Sequence, residues 1–338
     1  MTNLHDLKYR PEYAEGAYNA VHTCLRVQNW EKVTVITDHA CQEIALAIVQ
    51  ELDRFGVKYN TFVLEELAAR PLFEMPPVVL DDLATSQVSF YAVCAQRNEL
   101  KTRMQMTDVV NRHKIRHAHM VNIEHRIMCE GMRADFHKVD ELSVKVQQIA
   151  SQSSQIRAKT AAGTDIVADL NPEYRWIKTS GIITPFKWGN LPGGEVFTTP
   201  GEVNGKFVID GVVGDYLCAK YGNLRSTPLT IDVKGNRLVN AYSDNKELEQ
   251  EFWSYCHTDE NSDRVGEFAI GTNIGLSDVI GNILQDEKIP GIHIAFGNPY
   301  GAHTGADWYS STHIDVVGRQ FDIWADKQQI MAAGHFLI

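Results

Sequence analysis

The strongest constraint on this chain is a change of texture near its midpoint. The first half alternates compact β-branched runs with segments of helical periodicity. The second is broken by Gly and Pro into short apolar runs. Lys32 to Thr37 (Lys-Val-Thr-Val-Ile-Thr) reads as a buried strand. Ile44, Ala45, Ile48, Val49 and Leu52 then recur at helical spacing, with Asp38 a candidate cap and Gly56 a stop. Lys58 to Leu64 and Val88 to Val93 predict further strands, with a helix near Leu80 to Ala84 between them. This alternation predicts an α/β N-terminal domain with a mostly parallel sheet and crossover helices. Ser151 to Thr160 reads as a helix end plus linker, so the expected domains are 1–155 and 156–338.

In the second half, Lys206 to Val213, Leu229 to Val233 and Ile292 to Phe296 predict short antiparallel strands. Lys246 to Tyr255 and Ser277 to Leu284 predict helices. An α+β C-terminal domain follows, and every candidate metal ligand falls in it.

Bulk properties remove several function classes. A net charge of -11 argues against nucleic acid as a partner, because phosphate neutralisation needs an excess of Lys and Arg. The stretch Met1 to Glu15 has no apolar core of the signal-peptide kind, and no run of about eighteen apolar residues occurs. A cytoplasmic protein with no membrane partner is expected. Six widely spaced cysteines without a CxxC pair suit reduced, structural thiols. Thr37, Asp38, His39 and Ala40 stand where a dinucleotide fingerprint would need glycines. There is no phosphate-cradling loop and no Gly-x-Ser-x-Gly elbow. His113, His117, His119, His125 and His137 form a His-rich stretch without matching acidic partners, and read as a solvated face.

Four segments concentrate metal-capable side chains among turn residues. In Asn190-Leu191-Pro192-Gly193-Gly194-Glu195-Val196-Phe197-Thr198-Thr199-Pro200, the Pro-Gly-Gly turn aims Glu195 from the start of a strand. Glu267 follows Gly266 in Val265 to Asn273. His293 lies in Ile292-His293-Ile294-Ala295-Phe296-Gly297, with Tyr300 beyond it. His313 and Asp315 are one residue apart, so in an extended strand they share a face. Two His, three carboxylates and a Tyr suit Zn, Co or Mn. Three carboxylates exceed what one catalytic Zn usually takes, so two ions about 3.5–4 Å apart are expected.

These motifs resemble, in order and spacing, those of the thermophilic metalloprotease family of metallo-aminopeptidases, the aminopeptidase T group. The shared elements are Asn-x-Pro-x-Gly-Glu-Val-Phe-Thr-x-Pro, Gly-Glu, His-x-Ala-x-Gly with a Tyr seven residues after the His, and His-x-Asp. Ala162-Gly163-Thr164-Asp165 also resembles the family's Gly-Thr-Asp element, so the likeness covers about residues 160 to 318. The resemblance implies Glu195, Glu267, His293, Tyr300, His313 and Asp315 as ligands of a two-metal centre, with Glu195, Glu267 and Tyr300 in catalysis. It also implies a homodimer that hydrolyses an N-terminal peptide bond or small amide through a metal-activated water.

Iron-dependent 2,5-dihydroxypyridine dioxygenases belong to the same superfamily and give the alternative, a mononuclear Fe(II) ring-cleaving enzyme. Such an enzyme needs two His and one carboxylate. A third reading is a relative that binds peptide without turnover. His303, Asp307 and Trp308, between His293 and His313, are candidate substrate contacts.

Overall fold

Alternation in the first half produces the expected parallel sheet. In the computed structural model, which describes residues 3–96, 98–185 and 188–338, β1 (Lys32–Thr37), β2 (Lys58–Val63), β3 (Val88–Val93) and β4 (Arg116–Val121) lie side by side. Their order is β2-β1-β3-β4, every pair parallel. All six residues of β3 are buried, the near-continuous apolar strand that a sheet covered on both faces requires. Helix Gln42–Phe55 buries Ile44, Ala45, Ile48, Val49 and Leu52, and ends at Gly56 in the left-handed region (φ 72°).

Two expectations for this half are corrected. The helix after β1 starts beyond Cys41, so Asp38 does not cap it; its carboxylate accepts from Cys41 N (2.8 Å) in the preceding turn. Nor do His113 and His117 share a helix face, because the helix Leu100–His113 ends and β4 begins between them. His117 (0 % exposed) and His119 (8 %) are buried on β4. Ser89 Oγ lies 2.8 Å from His117 Nδ1, and His117 Nε2 lies 3.2 Å from His119 Nδ1. They are core histidines with local partners, whereas His113, His125 and His137 of the stretch are exposed to solvent as expected.

By internal contact the chain separates into Met1–His137 with Gly181–Gly193, and Lys138–Ser180 with Gly194–Ile338. The helix Phe136–Gln152 runs into the second unit. There the expected linker is instead a strand, β5 (Gln155–Lys159), paired with β6 (Asp165–Asp169). After β7 (Ile177–Thr179) the chain returns to the first unit, where β8 (Gly189–Asn190) adds parallel to β4.

From β9 (Glu195–Thr198) onward the second unit is antiparallel. Its further strands are β10 (Glu202–Ile209), β11 (Leu229–Lys234), β12 (Arg237–Ser243), β13 (Val265–Gly271), β14 (Gly291–Gly297), β15 (His313–Val317), β16 (Asp322–Ala325), β17 (Gln328–Ala332) and β18 (His335–Phe336). They form an eight-stranded sheet, β12-β11-β10-β6-β5-β16-β17-β18, and a five-stranded sheet, β15-β14-β13-β9-β7. One apolar core draws on both: Ile156, Ile166 and Phe207 from the larger sheet, Phe268, Ile294 and Val316 from the smaller. The helix Lys246–Tyr255 forms where expected and adds Leu248 and Phe252. Between 277 and 284 the expected helix is absent apart from the single turn Ile283–Asp286. Asp286 holds that loop in an irregular path by accepting from the backbone N of Ile280, Gly281 and Asn282.

Candidate metal centre

The site is built by the two-residue period of the smaller sheet. In β14, Ile292, Ile294 and Phe296 enter the core, so His293 and Ala295 point to the opposite face. The same parity in β15 sends Ile314 and Val316 inward and turns His313 and Asp315 outward. In β9, Val196 enters the core and Glu195 and Phe197 do not. A lone His inside an apolar run is thus read by parity: its neighbours make the core, and it does not.

Strand β13 needs a correction of phase to join in. Val265 pairs with Phe296 and Glu267 with Ala295, so Gly266 is an extra residue, a bulge. The bulge allows Val265 and Phe268 both to enter the core while Glu267 faces the site. A Cβ on Gly266 would lie 2.4 Å from Gly297 O, so only glycine fits. Gly194, just before Glu195, is constrained likewise: φ is +132° and a Cβ would meet Asn273 Cβ at 2.6 Å.

Small residues alternate with the ligand candidates on this face. Ala295 stands opposite both Glu267 and Asp315, Ala269 opposite His293 and Phe197, and Gly271 opposite Glu195. Directly opposed residues have Cβ atoms about 5 Å apart, so these positions leave room for the carboxylates to converge. The result is three overlapping groups whose ligand atoms lie within 4.8 Å of one another: Glu195, Glu267, His293; Glu267, His313, Asp315; and Glu287, His293, Asp315. His293 Nε2 is 3.4 Å from Glu195 Oε2 and 3.3 Å from Glu267 Oε1. His313 Nε2 is 3.7 Å from Glu267 Oε2 and 3.4 Å from Asp315 Oδ1. His313 Nδ1 donates to Asn298 O (2.9 Å), which directs Nε2 toward the carboxylates.

Five of the six expected residues therefore meet around one point. The sixth, Tyr300, sets its ring against His313 at 4.5 Å between centroids, tilted by 48°. Tyr300 as a whole is 43 % exposed, but desolvation where it meets the cluster and the charges of Asp315 and Glu267 raise its pKa above the usual value, so its hydroxyl stays protonated. His303 and Asp307 are exposed, and Trp308 packs under the Arg264 guanidinium at 4.3 Å. None of these three belongs to the ligand groups.

Two residues at the site carried no sequence signal. Glu287 and Lys288 sit in an Asp-Glu-Lys run of the kind that usually faces solvent, yet Lys288 is 1 % exposed. Its ammonium ion-pairs with Glu287 and lies 2.7 Å from Glu195 Oε1, which also accepts from Thr179 Oγ1 at 2.7 Å. The only earlier cue is position, a charged pair just before a fully buried strand.

Excess negative charge governs the electrostatics. Burial alone would lower His313, but Asp315 and Glu267 lift it to about 10. Burial would raise Asp315, yet the adjoining His313 brings it to about 2. Burial pushes Glu287 up to about 8, with Asp315 and Glu195 adding to the shift. The pocket thus draws in positive charge, as protons when nothing else is present. At the site, buried Glu195 Oε2 makes no hydrogen bond, only the 3.4 Å ion-pair contact with His293 Nε2. Buried carboxylate and imidazole donors converging beside an unsatisfied oxygen fit a divalent cation.

Similarity to known proteins bears on the same region. The chain has the fold of AmpT from Thermus thermophilus, with 15% identity, a TM-score of 0.70, and coverage of 97% of this chain and 99% of that one. It is also similar in fold to a 2,5-dihydroxypyridine dioxygenase from Pseudomonas putida KT2440, with 14% identity, a TM-score of 0.69, and 96% of each chain covered. No curated protein matches the sequence. The model of the thermophilic metalloprotease (M29) family matches residues 125–320, more than half of the 338, and spans every residue of the three ligand groups. The chain therefore belongs to the thermophilic metalloprotease (M29) family.

Proposed function

We propose that this protein is a metal-dependent, aminopeptidase-like hydrolase that cleaves the N-terminal bond of a peptide or a small amide. The observation that carries the reading is the convergence of Glu195, Glu267, His293, His313 and Asp315 beside the unmet Glu195 Oε2. A divalent ion held by these residues would supply Lewis acidity, polarising a scissile carbonyl and making water a better nucleophile at neutral pH.

The chain's own groups divide the remaining tasks. Glu267 faces both imidazoles and has no Lys or Arg ion pair among the described residues, which suits it to orient the attacking water and take its proton. Glu195 is restrained by Lys288 and Thr179, which suits it to holding charge. The protonated Tyr300 hydroxyl is a donor for an oxyanion that develops on the substrate. No helix of the described residues is long and apolar enough to cross a membrane.

The test is turnover of a panel of aminoacyl amides before and after chelation, with the metal of the purified protein identified. Chelator-sensitive release of the N-terminal residue supports the proposal. Bound iron, no amide release and oxygen-dependent ring cleavage would transfer the assignment to a dioxygenase. One observation bears on that second reading: Lys288 engages Glu195, which leaves His293 and His313 with two carboxylates, Glu267 and Asp315, one more than a two-His, one-carboxylate iron site needs.

A further inference from the structure

The three ligand groups are not equally open to a metal. Two of them contain a carboxylate already bound by a cation of the chain itself. The Lys288 ammonium lies 2.7 Å from Glu195 Oε1 and pairs with Glu287. Its stem is sealed, since the residue is 1 % exposed, and the loop that delivers it is pinned by the three backbone bonds to Asp286. The ammonium has no route to solvent, so it is a fixed positive charge at that end of the cluster. In the third group, Glu267, His313 and Asp315, no Lys or Arg pairs with either carboxylate among the described residues.

We propose that this chain takes a single divalent ion, at Glu267, His313 and Asp315 with His293 alongside, and that the Lys288 ammonium occupies the second cation position, between Glu195 and Glu287. On this proposal the buried ammonium supplies one of the two positive charges that the carboxylates were expected to draw. A lysine at this place also makes Glu195 a partner of a protein cation first and a metal ligand second. The inference rests on the metal site of the preceding section but not on the reaction carried out there.

The experiment is metal stoichiometry, with no turnover involved. The full chain is stripped, saturated with Zn2+ or Co2+, freed of excess, and its bound metal is counted by elemental analysis and native mass spectrometry. One ion is expected in the wild type, and two in Lys288→Met, which keeps the length of the side chain and removes its charge. Two ions in the wild type would overturn the inference, and so would a folded Lys288→Met that still holds one. Should Lys288→Met fail to fold, Glu195→Gln decides: it is expected to retain the single ion with affinity within a few-fold, whereas Asp315→Asn loses it. Loss of the ion from Glu195→Gln would overturn the assignment. Failure of the hydrolase reading shows up separately, as one bound ion without amide release.

Discussion

Each unit of this protein buries a cluster of carboxylates, and the two clusters are completed in opposite ways. In the first, Arg70 sits among Asp38, Glu65 and Glu99. Its five N–H groups reach Glu99 Oε1 (2.9 Å) and Oε2 (2.5 Å), Asp38 Oδ2 (2.6 Å), Glu65 Oε1 (3.2 Å) and Cys94 O (2.7 Å). The remaining lone pairs accept from the backbone N of Cys41, Cys94, Leu72 and Gln96. Burial would raise Glu99, but Arg70 holds it below the usual carboxylate range. In the second, one lysine serves two of four carboxylates, an oxygen of Glu195 is unmet, and the imidazoles are pushed upward. A closed cluster is a structural joint, whereas an incomplete one asks for a ligand. The histidines repeat the contrast. His117, with only neutral partners, is pushed by burial down to about 3, while His313 among carboxylates rises to about 10.

Substitutions should separate the two kinds of cluster. The largest effect is expected from Arg70→Met, which strands Asp38 and Glu99 without their cation. Urea unfolding should show a loss of about 3–5 kcal/mol with metal binding unchanged. A loss under about 1 kcal/mol would mean the joint is not what stabilises that unit. Next is Asp315→Asn, expected to weaken metal binding by at least about 100-fold. The metal-free protein loses the Asp315–His313 ion pair but keeps Glu267 beside His313, so its melting temperature should fall only slightly. A large drop in melting temperature would instead make the second cluster a joint like the first.

A smaller effect comes from pH. The folded pKa of His117 lies below its unfolded value, so between about 3 and 6.5 the unfolded chain binds a proton that the folded chain does not. Its stability contribution is complete above about 6.5 and is lost as pH falls below that, at up to about 1.4 kcal/mol per pH unit. Unfolding of the metal-free protein at pH 6.5 and 5.5 measures the slope, and His117→Asn should reduce it. An unchanged slope would show that His117 is protonated in the fold. The smallest effect is from Thr179→Val, which removes one donor to Glu195 and should cost about 1 kcal/mol in thermal unfolding. No change there would mean Lys288 alone satisfies that oxygen.

Much of this was legible because it is local. β1, β3 and the helix Lys246–Tyr255 follow from short-range periodicity, and the observed limits match the expected ones. Meeting of the site residues was legible where parity sufficed, as for His313 and Asp315 on one strand. The rest depends on contacts between distant segments. Nothing in Asp286-Glu287-Lys288 tells that Asp286 accepts three backbone bonds and drags the next two residues inside. His117 and His119 look like a charged surface until β4 is known to lie between β3 and β8. The return of Gly181–Gly193 to the first unit likewise has no local marker.

Alternation along β13, β14 and β15 has a consequence for descent. Inward positions such as Phe268, Ile294 and Val316 answer to packing, while outward positions such as Glu267, His293 and Asp315 answer to chemistry. A single change at an outward position can retune reactivity and leave the hydrophobic layer intact, and inward positions can drift among apolar residues without moving a donor atom. Such decoupling means that the chemistry of the outward face and the packing of the inward face can change independently.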